Sequence, residues 1–424
     1  MSASPFTAKA ALRVIAASRP EAAADPGANW RAGLICKKNG DPKALHLNVL
    51  RALLEAPELA GMVSFDAFKL KVTIERTTPW GSQAGQTWTE DDDLKLAIWC
   101  QSKGIEVRPD VAGPVLQTVA RERPRHAVRN YLDALQWDGV RRIDGWLHLY
   151  LGVDQSPYAC AVGARWLISA VARIMEPGCK VDTCLILEGP QGIGKSRALK
   201  VLAGEEWFSD SPIEINSKDG AIMLAGKWIV EFAELDTLDR ATSARTKAYM
   251  SSATDNYRPP YAKTNKDHKR QCVFAGTVNE STYLKDATGG RRFWPVKCGE
   301  SLDLTGLERD RDQLWSEAVA RYNAGAPWWL EEQKLVQAAA EEQANRFEAH
   351  PWEPIIAKWL NINETMTTVT IPQILDSCID KPKERWTQPD QNNVARCLQA
   401  LGWERYRFRH DGKLVWGYRP KAGK

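Results

Sequence analysis

Gly189-Pro190-Gln191-Gly192-Ile193-Gly194-Lys195-Ser196 has the spacing GxxxxGK[ST]. A pair of phosphates needs several backbone N–H groups converging on it, and only a glycine-rich loop lets the main chain wrap that closely. In this reading Gly189, Pro190, Gln191, Gly192, Ile193, Gly194, Lys195 and Ser196 bind ATP. Lys195 reaches the β- and γ-phosphates, and the Ser196 hydroxyl ligates Mg2+. An apolar run over 183–187 precedes the loop and a helix-like stretch over 197–203 follows it, which is the strand–loop–helix context the motif requires. The alternative is a glycine-rich turn that binds nothing.

Downstream spacing separates the kinds of P-loop protein. KWIVEFAELD begins 32 residues after Lys195 and reads as a buried strand ending in carboxylates. Such a strand end places one acid near the metal and another where it polarises the attacking water. Glu234 is read as the water activator and Glu231 as its Mg2+-side partner; either could instead make a structural salt bridge. CVFAGTVNES follows, an apolar strand ending at Thr277 and Asn279, which can aim the Asn279 amide at the γ-phosphate or its water. In DATGGRRFWPV, Arg291 and Arg292 stand 96 and 97 residues after Lys195. An arginine supplied across a subunit boundary stabilises transition-state charge, although a carboxylate of the same subunit could also hold it. Between these strands, TDNYRPPYAKTNKDHKRQ reads as a basic hairpin offering Lys263, Lys266, His268 and Lys269 to a DNA backbone, or as a solvated basic loop.

The rest of the chain frames this core. A length of 424 residues suggests two or three domains. With 44% hydrophobic and 26% charged residues, the composition excludes a chain disordered throughout and a low-complexity one. Mean hydropathy is -0.41. The most apolar long stretch, 159–175, is interrupted by Arg165 and Arg173, so no membrane span is expected. No apolar run near the N-terminus suits a secretory signal, and a cytoplasmic location is expected. Nine cysteines without a CxxC pair read as reduced thiols, and six scattered histidines lack zinc-site spacing, so no structural zinc is expected. The net charge is only +4, but residues 258–270 carry a local +4 and residues 403–424 a local +5. Eighteen tryptophans spread along the chain read mostly as core.

Organisation follows from periodicity. Residues 1–28 read as a flexible arm. Residues 29–150 read as a mainly helical adaptor, with one alternating stretch, KLKVTIERTT, and a helix start at Thr89. Residues 151–300 alternate helices with the apolar strands CLILEG, KWIVEFAEL and CVFAGTVN. That pattern predicts an α/β P-loop core on a parallel sheet. Residues 301–348 read as a helical connector. Residues 349–424 order three helices and then YRFRHDGKLVWGYRP, a hairpin around His410-Asp411-Gly412. That layout is winged-helix-like, with the stretch 390–401 as the recognition-type helix.

Taken together, LDALQWDGVRRIDGWL, ARIMEPGCKVDTCLILEGPQGIGKS, GKWIVEFAELD, TDNYRPPYA and GTVNESTYLKDATGGRRFWPV resemble the virulence-associated protein E family of phages and genomic islands. This family is related to superfamily 3 helicases. The resemblance spans about 132–296. It implies that Asn279 is the sensor asparagine, that Arg291 and Arg292 are trans-acting fingers, and that the stretch 263–269 falls at the channel hairpin. Gly290 departs from the asparagine expected before the arginines and leaves both arginines in place. The implied activity is Mg-ATP-dependent DNA translocation or unwinding by a homo-hexameric ring during replication of a phage or mobile element. Single-stranded or forked DNA would be the partner, with a separate primase or replication initiator acting in trans. The competing expectation is a nucleotide-switched protein that binds DNA or another partner, for origin recognition or phage interference, and unwinds nothing.

Overall fold

The computed structural model describes residues 30–211, 218–233, 240–257, 265–279, 283–284, 290–346, 351–410 and 413–421. The chain forms two compact units. One comprises residues up to Ser281 together with Arg291–Glu342, and the other Thr282–Gly290 with Gln343–Lys424.

The first unit begins with a separate small core. Helices His46–Glu55, Glu90–Ser102 and Pro109–Arg121 pack Val49, Leu53, Leu96, Cys100, Leu116 and Ala120 together. The helix at Glu90 starts where the sequence indicates, because Asp92 Oδ2 accepts from the Thr89 N–H (3.0 Å) and hydroxyl (2.8 Å). The region is less purely helical than its periodicity suggested. β1 (Val63–Asp66) pairs antiparallel with β2 (Lys71–Ile74) and parallel with the short β3 (Pro124–Arg125). This core ends near Ala120. Val128, Leu132, Ile143, Trp146 and Tyr150 pack instead into the P-loop core, so the adaptor stops short of the expected boundary at 150. The physical tie is Glu317, fully buried on helix Leu304–Asn323. Its Oε2 accepts from the Ile143 N–H (2.9 Å), and its Oε1 accepts from Arg321 (2.6 Å).

The P-loop core is a parallel sheet of five described strands: β4 (Cys184–Glu188), β5 (Phe208–Ser209), β6 (Ile229–Phe232), β9 (Val273–Val278) and β10 (Phe293–Lys297). Their spatial order is β10-β4-β9-β6-β5, and every pairing is parallel. Burial on both faces explains why these strands read as continuous apolar runs. The apolar stretch that interrupted the membrane question is helix Pro157–Met175. It is long and apolar enough to cross a bilayer, yet 83% of its most apolar window is buried within the fold. Its Trp166 indole donates to the Phe274 carbonyl and its Ala170 carbonyl accepts from Trp228, both at 2.9 Å, which lock helix to sheet. Trp146, Trp166, Trp228, Trp294 and Trp315 are among the largest fully buried side chains, in keeping with tryptophan as core. A separate antiparallel hairpin, β7 (Thr254–Tyr257) with β8 (Lys266–Lys269), projects between β6 and β9 in sequence.

In the second unit, helices Glu353–Ile362 and Gln388–Ala400 and the turn Ile371–Cys378 enclose Ile356, Leu360, Ile374, Val394 and Leu398. A hairpin of β11 (Trp403–His410) and β12 (Lys413–Pro420) follows. Helix Gln388–Ala400 starts slightly earlier than its sequence suggested, because Asp390 is its third residue: Asp390 Oδ2 accepts from the Thr387 N–H at 2.8 Å. The short segment at Tyr283 and Leu284 belongs to this unit too, with both amides donating to the Arg346 carbonyl (3.1 and 3.0 Å).

Candidate nucleotide site

A parallel sheet collects the C-terminal ends of its strands along one edge, where open α/β sheets bind ligands. Here β4 runs into the P-loop, β6 carries Glu231, and β9 ends in Thr277 and Val278 with Asn279 just beyond. The loop requires backbone that only glycine takes up readily: Gly192 has φ +86° and Gly194 φ +103°. A Cβ on Gly194 would also meet Leu304 at 3.1 Å. Helix Lys195–Ala203 then opens with no acidic residue in its first turn, leaving its N-terminal amides and positive dipole end for an anion.

The strand order brings distant residues into contact. Lys195 is 6% exposed. Its ammonium donates to the Gly189 carbonyl, to the Pro190 carbonyl (2.8 Å) and to Asn279 Oδ1 (3.2 Å). Ser196 donates its hydroxyl to Glu231 Oε1 at 2.7 Å, and Thr277 donates to the same oxygen at 2.6 Å. Glu231 is 2% exposed, and its other oxygen, Oε2, is buried without a hydrogen-bond partner among the described residues. A buried carboxylate oxygen left over in this way is costly and calls for a partner. Beside a serine hydroxyl it makes an oxygen donor set that suits a hard divalent cation such as Mg2+. Pro190, Gln191, Gly192 and Ser196 are exposed at the mouth of the loop, with Gly189, Ile193 and Gly194 half-buried. Cys298, close to Gly189, is no nucleophile: burial pushes its thiol up to about 12.

Arg291 is exposed, and Arg292 is half-buried, its Nε donating to Ser251 Oγ at 2.8 Å. Among the described residues the partner of Arg292 is thus a hydroxyl, and the carboxylate weighed from sequence is not among them. Glu234 and Lys263 lie outside the described residues. On the β7–β8 hairpin, Lys266 and Lys269 are exposed as expected of backbone-contacting lysines, but His268 is not offered to solvent in the same way. Its ring packs on Tyr257 with centroids 4.3 Å apart, and its Nε2 is buried. Burial also lowers the His268 pKa. Arg270, counted in the basic stretch, contributes nothing to its surface charge. It is 3% exposed and paired with Asp255, its Nε donating at 2.9 Å.

Thr277 is the contact that sequence reasoning passed over. The signal was there, a hydroxyl two residues before Asn279, but its target on β6 depends on β9 lying between β4 and β6.

The virulence-associated protein E-like domain model matches residues 132–348. The chain belongs to that family. The matched region starts in helix Ala127–Ala134, runs past Val296 through the two following helices, and contains all five described strands of the parallel sheet of this VapE-like protein. No curated protein matches the chain. Among solved structures, the apo NrS-1 C-terminal region is 14% identical, with 84% of this chain and 95% of that one covered at a TM-score of 0.48. A mutant of Thermotoga maritima RuvB is 12% identical, with coverage of 60% and 91% at a TM-score of 0.24. Both scores fall below one half, and nothing about this VapE-like protein's activity rests on them.

Proposed function

We propose that this VapE-like protein is a Mg-ATP hydrolase that drives DNA translocation or unwinding during replication of a phage or mobile element. The observation that carries the reading is the joined cluster Lys195, Ser196, Glu231, Thr277 and Asn279 at one edge of a parallel sheet. Lys195 and the loop amides would hold the β- and γ-phosphates. Ser196 and Glu231 would hold Mg2+, whose chemistry is to bridge and neutralise phosphate oxygens. Glu231 already has one oxygen committed to two hydroxyls and the other uncommitted, which suits a metal-side role. That leaves Glu234 as the candidate to polarise the water. Asn279 would sense the γ-phosphate: it now bonds the same ammonium that the phosphates would claim. Arg291 and Arg292 would complete the site of a neighbouring subunit in a homo-hexameric ring. Lys263, Lys266 and Lys269 would line the DNA path, with single-stranded or forked DNA as partner and a primase or initiator acting separately. For the second unit, three helical segments followed by a hairpin support a winged-helix reading.

The test is steady-state ATP hydrolysis with and without single-stranded DNA across protein concentration. DNA stimulation, with specific activity rising as the protein assembles, is expected. Lys195→Ala should lower hydrolysis at least a hundredfold with the fold intact, and wild-type turnover in that variant would refute the P-loop assignment. Hydrolysis indifferent to DNA and to concentration would favour a nucleotide-switched DNA- or partner-binding protein instead.

A further inference from the structure

The hairpin β11–β12 has two unlike faces. Alternate residues of a strand share a face. One face carries Arg405, Arg407 and Arg409, all exposed. Across the ladder Arg407 pairs with Trp416, which is 47% exposed. The Arg405 and Arg407 guanidiniums lie 4.1 and 4.4 Å from the Trp416 ring centroid. The opposite face holds Tyr406 stacked on Phe408, and Glu404, the one acid in either strand, bonded to Arg419 at 2.8 Å. No carboxylate of the hairpin strands therefore offsets the three arginines. The end of this same arginine face away from the turn is pinned to the core of its unit: Tyr418, which pairs with Arg405, is 3% exposed and exchanges two backbone hydrogen bonds with Val369 (2.8 and 2.9 Å), so the arginines project beside a packed edge.

We propose that this face of the hairpin is a sequence-independent contact for duplex DNA, with Arg405, Arg407 and Arg409 on phosphates of one strand and Trp416 holding the first two guanidiniums in place. Alternate residues on a strand are about 6.8 Å apart. The row therefore extends about 14 Å, with its three guanidiniums spaced to meet successive phosphates of one strand. Arginine suits phosphate geometry, and cation–π contact orders the side chains before DNA arrives, which lowers the entropic cost of binding. Duplex is favoured over single strand because the Trp416 ring is engaged by guanidiniums. Single-strand platforms present aromatic rings free for bases. Helix Gln388–Ala400 is less suited to phosphate attraction. The charge in its first turn is the acid Asp390, bonded to Lys381 (2.6 Å), and Gln388 bonds Asn392 (3.2 Å).

The experiment uses the full chain in nucleotide-free buffer, so its outcome is independent of the P-loop reading that the hydrolysis assay tests. Fluorescence anisotropy follows binding of a short random-sequence duplex, and of one of its strands alone, over a series of salt concentrations. R405Q/R407Q should weaken duplex binding at least tenfold and reduce the slope of log affinity against log salt by about 1.8. R405K/R407K, which keeps the charge, should retain most of the slope. Unchanged duplex affinity and slope in R405Q/R407Q at an unchanged melting temperature would overturn the proposal. So would a loss confined to the single strand. If R405Q/R407Q does not fold, R409Q, which leaves the Trp416 stack intact, decides by the same reading: a slope smaller by about 0.9 supports the contact and an unchanged slope overturns it.

Discussion

Glu231 shows how much a single side chain's surroundings decide. In sequence it is one of two glutamates near a strand end. In the fold, one of its oxygens takes hydroxyl hydrogens from Ser196 and Thr277 while the other is buried without a partner among the described residues. Thr277 therefore fixes the orientation of the carboxylate. Thr277→Val keeps the shape and removes that donor. It should lower kcat about tenfold, the rate equivalent of about 1.4 kcal/mol, with KM for ATP little changed, and Thr277→Ser should restore turnover. A variant whose KM rises while kcat is unaffected would mean that Thr277 serves nucleotide binding, not carboxylate positioning. None of this was legible from spacing alone. The chemistry proposed for Lys195 and Ser196 rests on an eight-residue motif, whereas the Thr277 contact joins residues 46 positions apart.

Among the elements, those with local signals were the most legible. The capping boxes at Thr89 and Thr387 place two helix starts to within a residue or two, because each is a reciprocal bond within four residues. The box at Thr387 carries a pH prediction. Lys381, followed by Thr387, holds the Asp390 carboxyl at about 2, below its ordinary 3.8. A carboxylate lowered on folding contributes stability that is present above its unfolded pKa and lost as pH falls through its folded one. The melting temperature of the wild-type second unit should therefore exceed that of Asp390→Asn at neutral pH. The gap should narrow between about pH 4 and pH 2. A gap that does not change over that window would show that the carboxylate's charge is not what stabilises the helix start. The β7–β8 hairpin was less legible. Its strands follow from the sequence, but pairing with Asp255 buries Arg270, one of its expected cations, and stacking on Tyr257 half-buries His268. Alternation along a strand says which residues share a face, and packing decides which face is buried.

For the whole molecule, the open question of assembly rests on Arg291 and Arg292. Arg292 bonds Ser251 within its own chain, and Arg291 is exposed. If these arginines act in a neighbour's site, Arg292→Ala and Lys195→Ala proteins, each inactive alone, should recover part of the ATPase activity when mixed, because some interfaces then pair an intact loop with an intact arginine. No recovery at any mixing ratio would place the arginine's role within one subunit. Domain limits were the least legible feature at this scale. Periodicity put a boundary at 150, but Glu317 draws the segment around Ile143 into the P-loop core, and the peptide at Tyr283 joins the C-terminal unit through Arg346.

The sequence by itself determined the glycine-rich loop, the strands that flank it, the tryptophan-rich core and the hairpin near the C-terminus, because glycine φ angles, apolar runs and alternation are properties of neighbouring residues. Only the tertiary structure decided that β9 lies between β4 and β6, so that Asn279 meets Lys195 and Thr277 meets Glu231. It alone decided that Arg270 is buried against Asp255 while Arg405 and Arg407 stand exposed around Trp416. Strand order and the fate of a charge depend on partners distant in sequence, whose pairing is set by the packing of the whole sheet and by the cost of burying an unpaired ion.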